Sequence, residues 1–191
     1  PLYDKPLIFY PISVLMLAGI KKILIIVNKG QLAQFKKILP EKNNLGISIE
    51  YKEQLKPEGL PQAFTIGEKF IGKDNISLIL GDNFFYGQSL TRMLRKNINL
   101  KNGAKIFIHP VKNPHKYGVA TLNKKNGVIK LEEKPKKTSS NLAVTGLYFF
   151  DNKVIKFTKR LKPSKRGELE IIDLLNIYKR KNKLKAELIG R

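Results

Sequence analysis

The sequence predicts an α/β fold, in which a Rossmann-like, doubly wound and mostly parallel sheet is followed by a mixed or antiparallel extension. Strand-length apolar runs alternate with helical segments through residues 1–111, a pattern typical of a parallel sheet covered by helices. From residue 112 onward, three strand-like runs follow one another with only short turns between them, which favours antiparallel pairing. We therefore expect one domain with two parts, residues 1–111 and 112–191.

The first element is expected to be a buried helix within residues 7–20, a continuous apolar stretch. It should begin near Pro11, because proline is favoured in the first turn of a helix, and end at Gly19. The stretch is also similar to the apolar core of a signal peptide, but it lacks a small-x-small cleavage site and is too short to span a bilayer. We therefore expect a cytoplasmic protein with no membrane partner.

The other elements of the first part follow from the spacing of apolar residues. Residues 22–27 form a continuous apolar run, which suits a strand buried on both faces. The remaining strands are predicted at residues 47–54, 76–80 and 104–111, and the helices at residues 31–39, 62–71 and 89–98.

The second part is expected to contain three strands, then two helices and a last strand. The strands are predicted at residues 117–122, 128–133 and 141–150, the helices at 153–161 and 168–181, and the last strand at 184–189. The chain opens without Met, with no strand and glycine-rich turn before Pro1, and it stops directly after a strand. We therefore expect a domain truncated at both ends.

The composition excludes several kinds of site. The sequence has no Cys, which rules out disulfides, thiolate nucleophiles and Cys-based zinc sites within it. The formal charge of +22 would suit nucleic acid, but 31 of the 37 basic residues are lysines scattered along the chain. Scattered lysine is more typical of a solvated surface. We expect no nucleic-acid partner, and a basic nucleic-acid-binding module stays as an alternative.

The most informative segment is residues 76–87, where an apolar strand ends at Gly81 and is followed by Asp82 and Asn83. In open α/β sheets, ligands bind just beyond the carboxyl ends of the strands. Gly81 is expected to allow a tight turn that directs Asp82 into this crevice, where a carboxylate suits Mg²⁺ held together with substrate phosphates. An ordinary Gly-Asp-Asn turn is the alternative interpretation.

Seven short phrases occur in a fixed order along the whole chain. They are Tyr3-Asp4-Lys5-Pro6, Tyr51-x-x-Gln54 with Gly59-Leu60-x-Gln62-Ala63, Leu80-Gly81-Asp82-Asn83-x-Phe85-Tyr86-Gly87, Tyr117-Gly118-Val119, Glu132-Glu133-Lys134-Pro135, Val144-Thr145-Gly146-Leu147-Tyr148 and Arg166-Gly167-Glu168-Leu169-Glu170. Together they resemble the sugar nucleotidyltransferases, and among them the glucose-1-phosphate thymidylyltransferases.

The resemblance implies a fold, a reaction and partners. The fold is that of the nucleotide-diphospho-sugar transferases, with the second part as a sugar-binding extension. The reaction is Mg²⁺-dependent transfer from dTTP to glucose 1-phosphate, which gives dTDP-glucose and pyrophosphate for dTDP-rhamnose and cell-surface polysaccharide synthesis. The family also implies a homo-oligomer, a tetramer.

The resemblance assigns a nucleotide side to the site. Gln54 and Gly59 match the loop that reads thymine, and Gln62 either touches the nucleotide or faces solvent. Leu80 belongs to the same nucleotide-binding set. Asp82 matches the metal carboxylate, which binds the Mg²⁺ that bridges the nucleotide phosphates.

The resemblance assigns the sugar phosphate to the second part of the chain. Lys134 and Arg166, the two implied catalytic residues, match the groups that grip the phosphate of the hexose. The walls of the sugar pocket are implied for Tyr117, Gly118, Glu133 and Val144, with Glu133 accepting hydrogen bonds from glucose hydroxyls.

Three local expectations accompany these assignments. Pro135 is expected to hold Lys134 in an extended conformation, because the residue before a proline avoids the helical region. Glu168 and Glu170 are expected to be first-turn carboxylates of a helix, where the helix dipole favours negative charge. Gly146 is expected only to pack its strand.

Two parts of the family pattern fall outside the sequence. The glycine-rich loop should precede Pro1, and the second metal-binding aspartate should follow Arg191. We therefore expect the 191 residues alone to be inactive. A non-catalytic regulatory homologue of the same fold is an alternative function.

Overall fold

A computed structural model of the chain describes residues 3–190. The helices are α1 (Phe9–Leu17), α2 (Leu32–Ile38), α3 (Gln62–Ile66), α4 (Glu68–Ile71), α5 (Leu90–Ile98), α6 (Lys153–Thr158) and α7 (Ile171–Arg180), with a short 3₁₀ helix at Pro114–Lys116. The strands are β1 (Lys22–Asn28), β2 (Ser48–Gln54), β3 (Ile76–Ile79), β4 (Ala104–Pro110), β5 (Gly118–Leu122), β6 (Val128–Glu133), β7 (Leu142–Phe150) and β8 (Leu184–Leu188). Each predicted element is present with shifted ends.

Two predicted helices differ from the observed ones. The helix predicted at residues 62–71 is divided into α3 and α4 at Gly67, which follows the first and precedes the second. An added Cβ at Gly67 would lie 3.0 Å from the Leu24 side chain, so α3 and α4 approach β1 closely at this point. The helix predicted to begin at residue 168 begins at Ile171, because the backbone of Glu170 is still extended.

Strand β7 organises the larger sheet. One edge of β7 pairs antiparallel with β4 from Phe150 to Leu142. The opposite edge is shared, since β3 pairs with Leu147–Phe150 and β5 pairs only with Leu142 and Ala143. Val144 lies between these two partners, where β3 and β5 diverge. The sheet therefore opens on that edge of β7, next to the end of β3.

The predicted α/β class with an antiparallel extension is confirmed, but the balance of strand directions differs from the expectation. Within residues 3–190, β1–β2 and β4–β8 are parallel, whereas the other four strand pairs are antiparallel. The sheet is therefore mixed and not mostly parallel. The reason is that one long strand, β7, runs antiparallel to three neighbours.

Strands β1 and β2 form a sheet of their own. An apolar cavity of about 420 Å³ lies between β1 and β3, lined by consecutive residues of both strands and by Phe64 and Phe70 from α3 and α4. Consecutive lining residues indicate that each strand meets the cavity with its edge. Among the described residues, β1 has a strand partner only in β2 and β3 only in β7. These edges therefore carry backbone groups without a strand partner.

An aromatic cluster forms the core beneath the open edge of β7. Phe64 packs edge-on against Phe150 with ring centres 5.2 Å apart, and Phe157 packs edge-on against Tyr178 at 5.1 Å. Tyr148 stacks on Phe150 and forms part of the floor of the opening. The core thus fixes the strand that carries Val144. No helix within residues 3–190 is long and apolar enough to cross a membrane.

Candidate functional site

A cleft of about 290 Å³ occupies the opening between β3 and β5. Its lining includes every residue that the sequence assigns to the sugar phosphate, together with one residue of the nucleotide set. These residues are Tyr117, Gly118, Glu133, Lys134, Val144, Arg166 and Leu80. They come from the start of β5, the end of β6, the middle of β7, the loop before α7 and the end of β3. The structure therefore brings together residues that lie up to 86 positions apart in the sequence.

Arg166 lies among three carboxylates. Its Nη1 atom is 3.7 Å from an oxygen of Glu133 and 3.6 Å from an oxygen of Glu170, and its Nη2 atom is 3.5 Å from Glu168. The expectation that Glu168 and Glu170 are first-turn helix carboxylates is wrong, because α7 begins after them. They instead orient the guanidinium toward the cleft.

Glu133 is the acidic group that the cleft perturbs most clearly. Burial, followed by repulsion from Glu170, raises the pKa of the Glu133 carboxyl above its ordinary value, although Lys134 and Arg166 act in the opposite direction. A partly buried carboxylate has lost part of its hydration. Hydrogen bonds from sugar hydroxyls would compensate for this loss. This supports its assignment to the hydroxyls.

The raised pKa predicts how stability depends on pH. The folded protein holds the Glu133 proton more tightly than the unfolded chain, so the free energy of unfolding falls as pH rises from the ordinary glutamate range through the folded pKa. E133Q is therefore expected to be more stable than the wild type at pH 7, with the difference vanishing below about pH 4. Urea unfolding at both pH values measures this.

The matched control for this prediction is E132Q on the same strand. The carboxylate of Glu132 pairs with Lys130 at 2.9 Å, so its removal should not stabilise the protein at pH 7. Equal free energies of unfolding for E133Q and the wild type at pH 7 would show that burying the charged Glu133 side chain does not destabilise the fold.

Lys134 does not adopt the extended conformation expected from Pro135. Its φ is +41°, in the left-handed region that non-glycine residues rarely occupy. Its backbone N–H donates to the carbonyl oxygen of Tyr117 at 3.0 Å, which holds the turn beside the cleft. Such backbone strain costs on the order of 1–3 kcal/mol and is concentrated at functional sites. Here it places an exposed lysine at the rim of the cleft.

Asp82 is held by its neighbour Asn83. The Asn83 amide nitrogen donates to a carboxylate oxygen of Asp82 at 2.8 Å, and the Asn83 amide oxygen accepts from the Gly146 N–H at 3.0 Å. An added Cβ at Gly146 would lie 2.7 Å from both Asn83 and Leu80. Gly146 therefore does more than pack its strand, since its missing side chain leaves room for Asn83. The sequence signal was the glycine in Val144-Thr145-Gly146.

Gly81 does not have the role expected from the sequence. Its φ is outside the left-handed region, and an added Cβ would meet no atom within 4 Å. A residue with a side chain would therefore fit this turn. The glycine that the turn requires is Gly146, on the neighbouring strand.

These two glycines make a matched pair of variants. G146A is expected to lower the free energy of unfolding by about 1–3 kcal/mol, because its methyl group overlaps Asn83 and Leu80 in a packed site. G81A is expected to change it by less than about 0.5 kcal/mol. Thermal or urea unfolding measures both. Equal stability of the two variants would contradict the role given to Gly146.

The residues assigned to thymine lie beside the cleft and are not part of its lining. The side chain of Gln62 accepts a hydrogen bond from the side chain of Gln54 and another from the backbone N–H of Glu58, the latter at 3.1 Å. Gly59 packs against the backbone of Leu169, and Leu60, the next residue, does line the cleft. Gln62 thus neither faces solvent freely nor is directed into the cleft.

The donor set around Asp82 restricts the kind of metal site. Within residues 3–190, no group of three or more His, Asp or Glu side chains is arranged to hold a metal ion. Asp82 is exposed and offers a single carboxylate. One carboxylate fits Mg²⁺, which takes its other ligands from substrate phosphates and water, but it does not form a closed protein cage.

A family model for nucleotidyl transferases matches residues 1–191. The chain belongs to the nucleotidyl transferase family. The resemblance found in the sequence is confirmed, because curated relatives are named glucose-1-phosphate thymidylyltransferase. The relative from Neisseria meningitidis serogroup A is 51% identical over 191 residues, and the one from Mycolicibacterium smegmatis is 44% identical over the same length. The chain spans 66% of the length of each.

Solved structures give this nucleotidyl transferase the same fold. A Bacillus anthracis protein described as a glucose-1-phosphate thymidylyltransferase, crystallised with sucrose, has a TM-score of 0.88 at 36% identity, covering 97% of this chain and 74% of that chain. A UDP-glucose pyrophosphorylase complexed with UDP-glucose has a TM-score of 0.81 at 25% identity. The match covers 98% of this chain and 80% of that chain. The nucleotide-diphospho-sugar transferase fold predicted from the sequence is therefore confirmed.

Proposed function

We propose that this nucleotidyl transferase forms dTDP-glucose and pyrophosphate from dTTP and glucose 1-phosphate. The observation that carries the proposal is the convergence of all six sugar-phosphate residues, from four separate segments, in one cleft next to the end of β3. The names of the curated relatives support the same reaction. The cleft accounts for binding of a sugar phosphate, and turnover is the measurement that distinguishes an enzyme from a regulatory homologue without activity.

The chemistry requires little covalent help from the protein. A phosphate oxygen of glucose 1-phosphate forms a bond to the α-phosphorus of dTTP, while the bond from that phosphorus to the bridging oxygen of the β-phosphate breaks and pyrophosphate leaves. Positioning and charge neutralisation supply most of the rate in such transfers. Arg166 presents a planar fork to the sugar phosphate, and Lys134 adds a second positive charge at the rim.

The carboxylates around Arg166 give it a fixed direction before substrate arrives. Glu133 and Glu170 lie on its Nη1 side and Glu168 on its Nη2 side. Glu170 is itself held, because it accepts a hydrogen bond from the Ser164 hydroxyl at 2.8 Å. A guanidinium fixed in this way loses little conformational freedom when it binds phosphate. Glu133 is then free to accept hydrogen bonds from glucose hydroxyls.

Asp82 is the residue that would hold Mg²⁺. When bound, the ion supplies positive charge that neutralises the nucleotide phosphates. Asn83 fixes the carboxylate through one oxygen, so Asp82 needs no further ordering to act as a ligand. On its own, the segment of 191 residues is expected to turn over little, because no group of three or more His, Asp or Glu side chains within residues 3–190 could hold the ion.

Several finer assignments belong to the same proposal. Residues 1–111 supply the nucleotide side, with Gln54, Gly59 and Gln62 at the base, and residues 112–191 the sugar side. The product would serve dTDP-rhamnose and cell-surface polysaccharide synthesis in the cytoplasm. The assembly is proposed to be a homotetramer, as the family resemblance implies.

The test is an assay of pyrophosphate release by the full-length protein with Mg²⁺. We expect turnover with dTTP and glucose 1-phosphate, and weaker turnover with UTP, since a methyl group is worth about 1–3 kcal/mol of discrimination. Galactose 1-phosphate and mannose 1-phosphate serve as sugar controls. Absence of turnover with every pair of substrates would contradict the proposal.

A further inference from the structure

Two loops of the site touch each other through their main chains. The base loop, residues 54–62, carries the groups assigned to thymine, and the arginine loop, residues 164–170, carries Arg166. The backbone N–H of Leu169 donates to the carbonyl oxygen of Glu58 at 2.8 Å. Gly59 has φ +106°, and an added Cβ there would overlap the carbonyl oxygen of Leu169. Position 59 therefore requires glycine for two reasons. Its φ is positive, and the backbone of Leu169 leaves no room for a side chain.

The base loop is braced internally by Gln62. Its side-chain oxygen accepts from the Gln54 side chain and from the Glu58 backbone N–H, while its side-chain nitrogen donates to the Glu58 carboxylate at 2.9 Å. One amide thus joins the end of β2 to the residue whose carbonyl oxygen contacts Leu169. A displacement of Gln54 would therefore also displace Glu58, because both are bonded to the Gln62 side chain.

The arginine loop is also closed on itself. The Ser164 N–H donates to the Glu168 carbonyl oxygen at 2.8 Å, and the Ser164 hydroxyl accepts from the Arg166 N–H at 3.1 Å. The same hydroxyl donates to the Glu170 carboxylate. Arg166 is therefore held in a compact turn, and Leu169 is the part of this turn that touches the base loop.

We infer that the base loop and the arginine loop act as one unit, in which Gly59 and Gln62 position Arg166 for the sugar phosphate. This inference rests on the proposed function, because it assigns the two loops to the two substrates. It makes Gly59 and Gln62 positioning residues whose effect reaches the other half of the site. Binding of the base to this unit and binding of the sugar phosphate are then coupled, and such coupling is reciprocal.

The test is G59A in the full-length protein, with KM measured separately for each substrate. A residue that only contacts the base would raise KM for dTTP alone. The inference predicts that KM for glucose 1-phosphate also rises by at least about 5-fold, the lower end of typical coupling between sites. A KM for glucose 1-phosphate within twofold of the wild type would overturn it.

The control is G46A, at another glycine with positive φ. Gly46 has φ +72°, and an added Cβ there meets no atom within 4 Å. This variant carries a similar backbone strain without a contact to the arginine loop, so both KM values should stay at wild-type levels. If G59A does not fold, Q62E provides a second variant, because it removes the donor to Glu58 and places two carboxylates together while leaving the backbone free. It should raise both KM values.

Hydrogen exchange separates failure of this inference from failure of the proposed function. In the protein without substrate, the Leu169 amide should be protected in the wild type and exchange faster in G59A, by at least about 5-fold, but not in G46A. If the wild type makes no sugar nucleotide, the proposed function fails while this measurement still tests the contact. Equal exchange at residues 164–170 in the wild type and G59A would overturn the inference.

Discussion

Replacing Asp82 by asparagine is expected to lower kcat/KM of the full-length protein for dTTP and glucose 1-phosphate by at least about 100-fold, or about 2.7 kcal/mol of transition-state stabilisation. The reason is that Asp82 supplies the carboxylate that follows β3, and its replacement would remove the charged ligand proposed for Mg²⁺. The amide of asparagine keeps the size of the side chain. The loss therefore reports on charge and not on packing.

Stability should not change with this variant, because Asp82 is exposed. The expected change in the free energy of unfolding is below about 0.5 kcal/mol, and thermal unfolding checks it. D74N is the matched control, since Asp74 is also an exposed aspartate but lies before the start of β3, whereas Asp82 follows its end. It should keep wild-type activity. Unaltered pyrophosphate release by D82N would show that Asp82 is a turn residue only.

Replacing Asp151 by alanine is expected to give the largest loss of stability, about 3–5 kcal/mol. Asp151 is 6% exposed and lies directly after β7. One of its carboxylate oxygens accepts from the Tyr178 hydroxyl at 2.8 Å and from the Lys153 N–H at 3.2 Å, and the other accepts from the Gly103 N–H at 2.7 Å. Alanine would leave two buried donors, the Tyr178 hydroxyl and the Gly103 N–H, without this partner, and also the partly buried N–H of Lys153.

Y178F is the comparison for this variant, because it removes one donor from the same network. Burial, followed by the hydrogen bond to Asp151, raises the pKa of the Tyr178 hydroxyl, so this group stays a donor at every working pH. Its removal is expected to cost about 1–2 kcal/mol. Urea unfolding of both variants measures the difference. A loss for D151A no greater than that for Y178F would show that the remaining donors find water.

The sequence predicted the elements of this fold well, because apolar periodicity and turn residues act locally. The strand at 22–27 and the buried helix near Pro11 are present within a few residues of the predicted ends. The residues proposed for the sugar phosphate were selected from short phrases, and the structure brings them together in one cleft. Tyr117, Gly118, Glu133 and Lys134 lie at or next to strand ends, which local patterns predict, whereas Val144 lies within β7 and Arg166 in a loop.

The failures have a common physical cause. Gly81 and Pro135 were interpreted from their own preferences, yet the turn at Asp82 depends on Gly146, 64 positions after Asp82, and the turn at Lys134 is held by a hydrogen bond to Tyr117. Glu168 and Glu170 were assigned to a helix dipole, yet their partner is Arg166. Each error concerns a neighbour in space that the local sequence does not specify.

The sequence by itself determined where strands and helices form and which side chains stand at their ends, because backbone preferences and apolar spacing are properties of neighbouring residues. Only the tertiary structure decided that β7 shares one edge between β3 and β5, which opens the cleft at Val144. It also decided that the base loop touches the arginine loop at Leu169. Strand partners and loop contacts are chosen by packing between distant segments, so the same local patterns are compatible with several arrangements until the whole core is assembled.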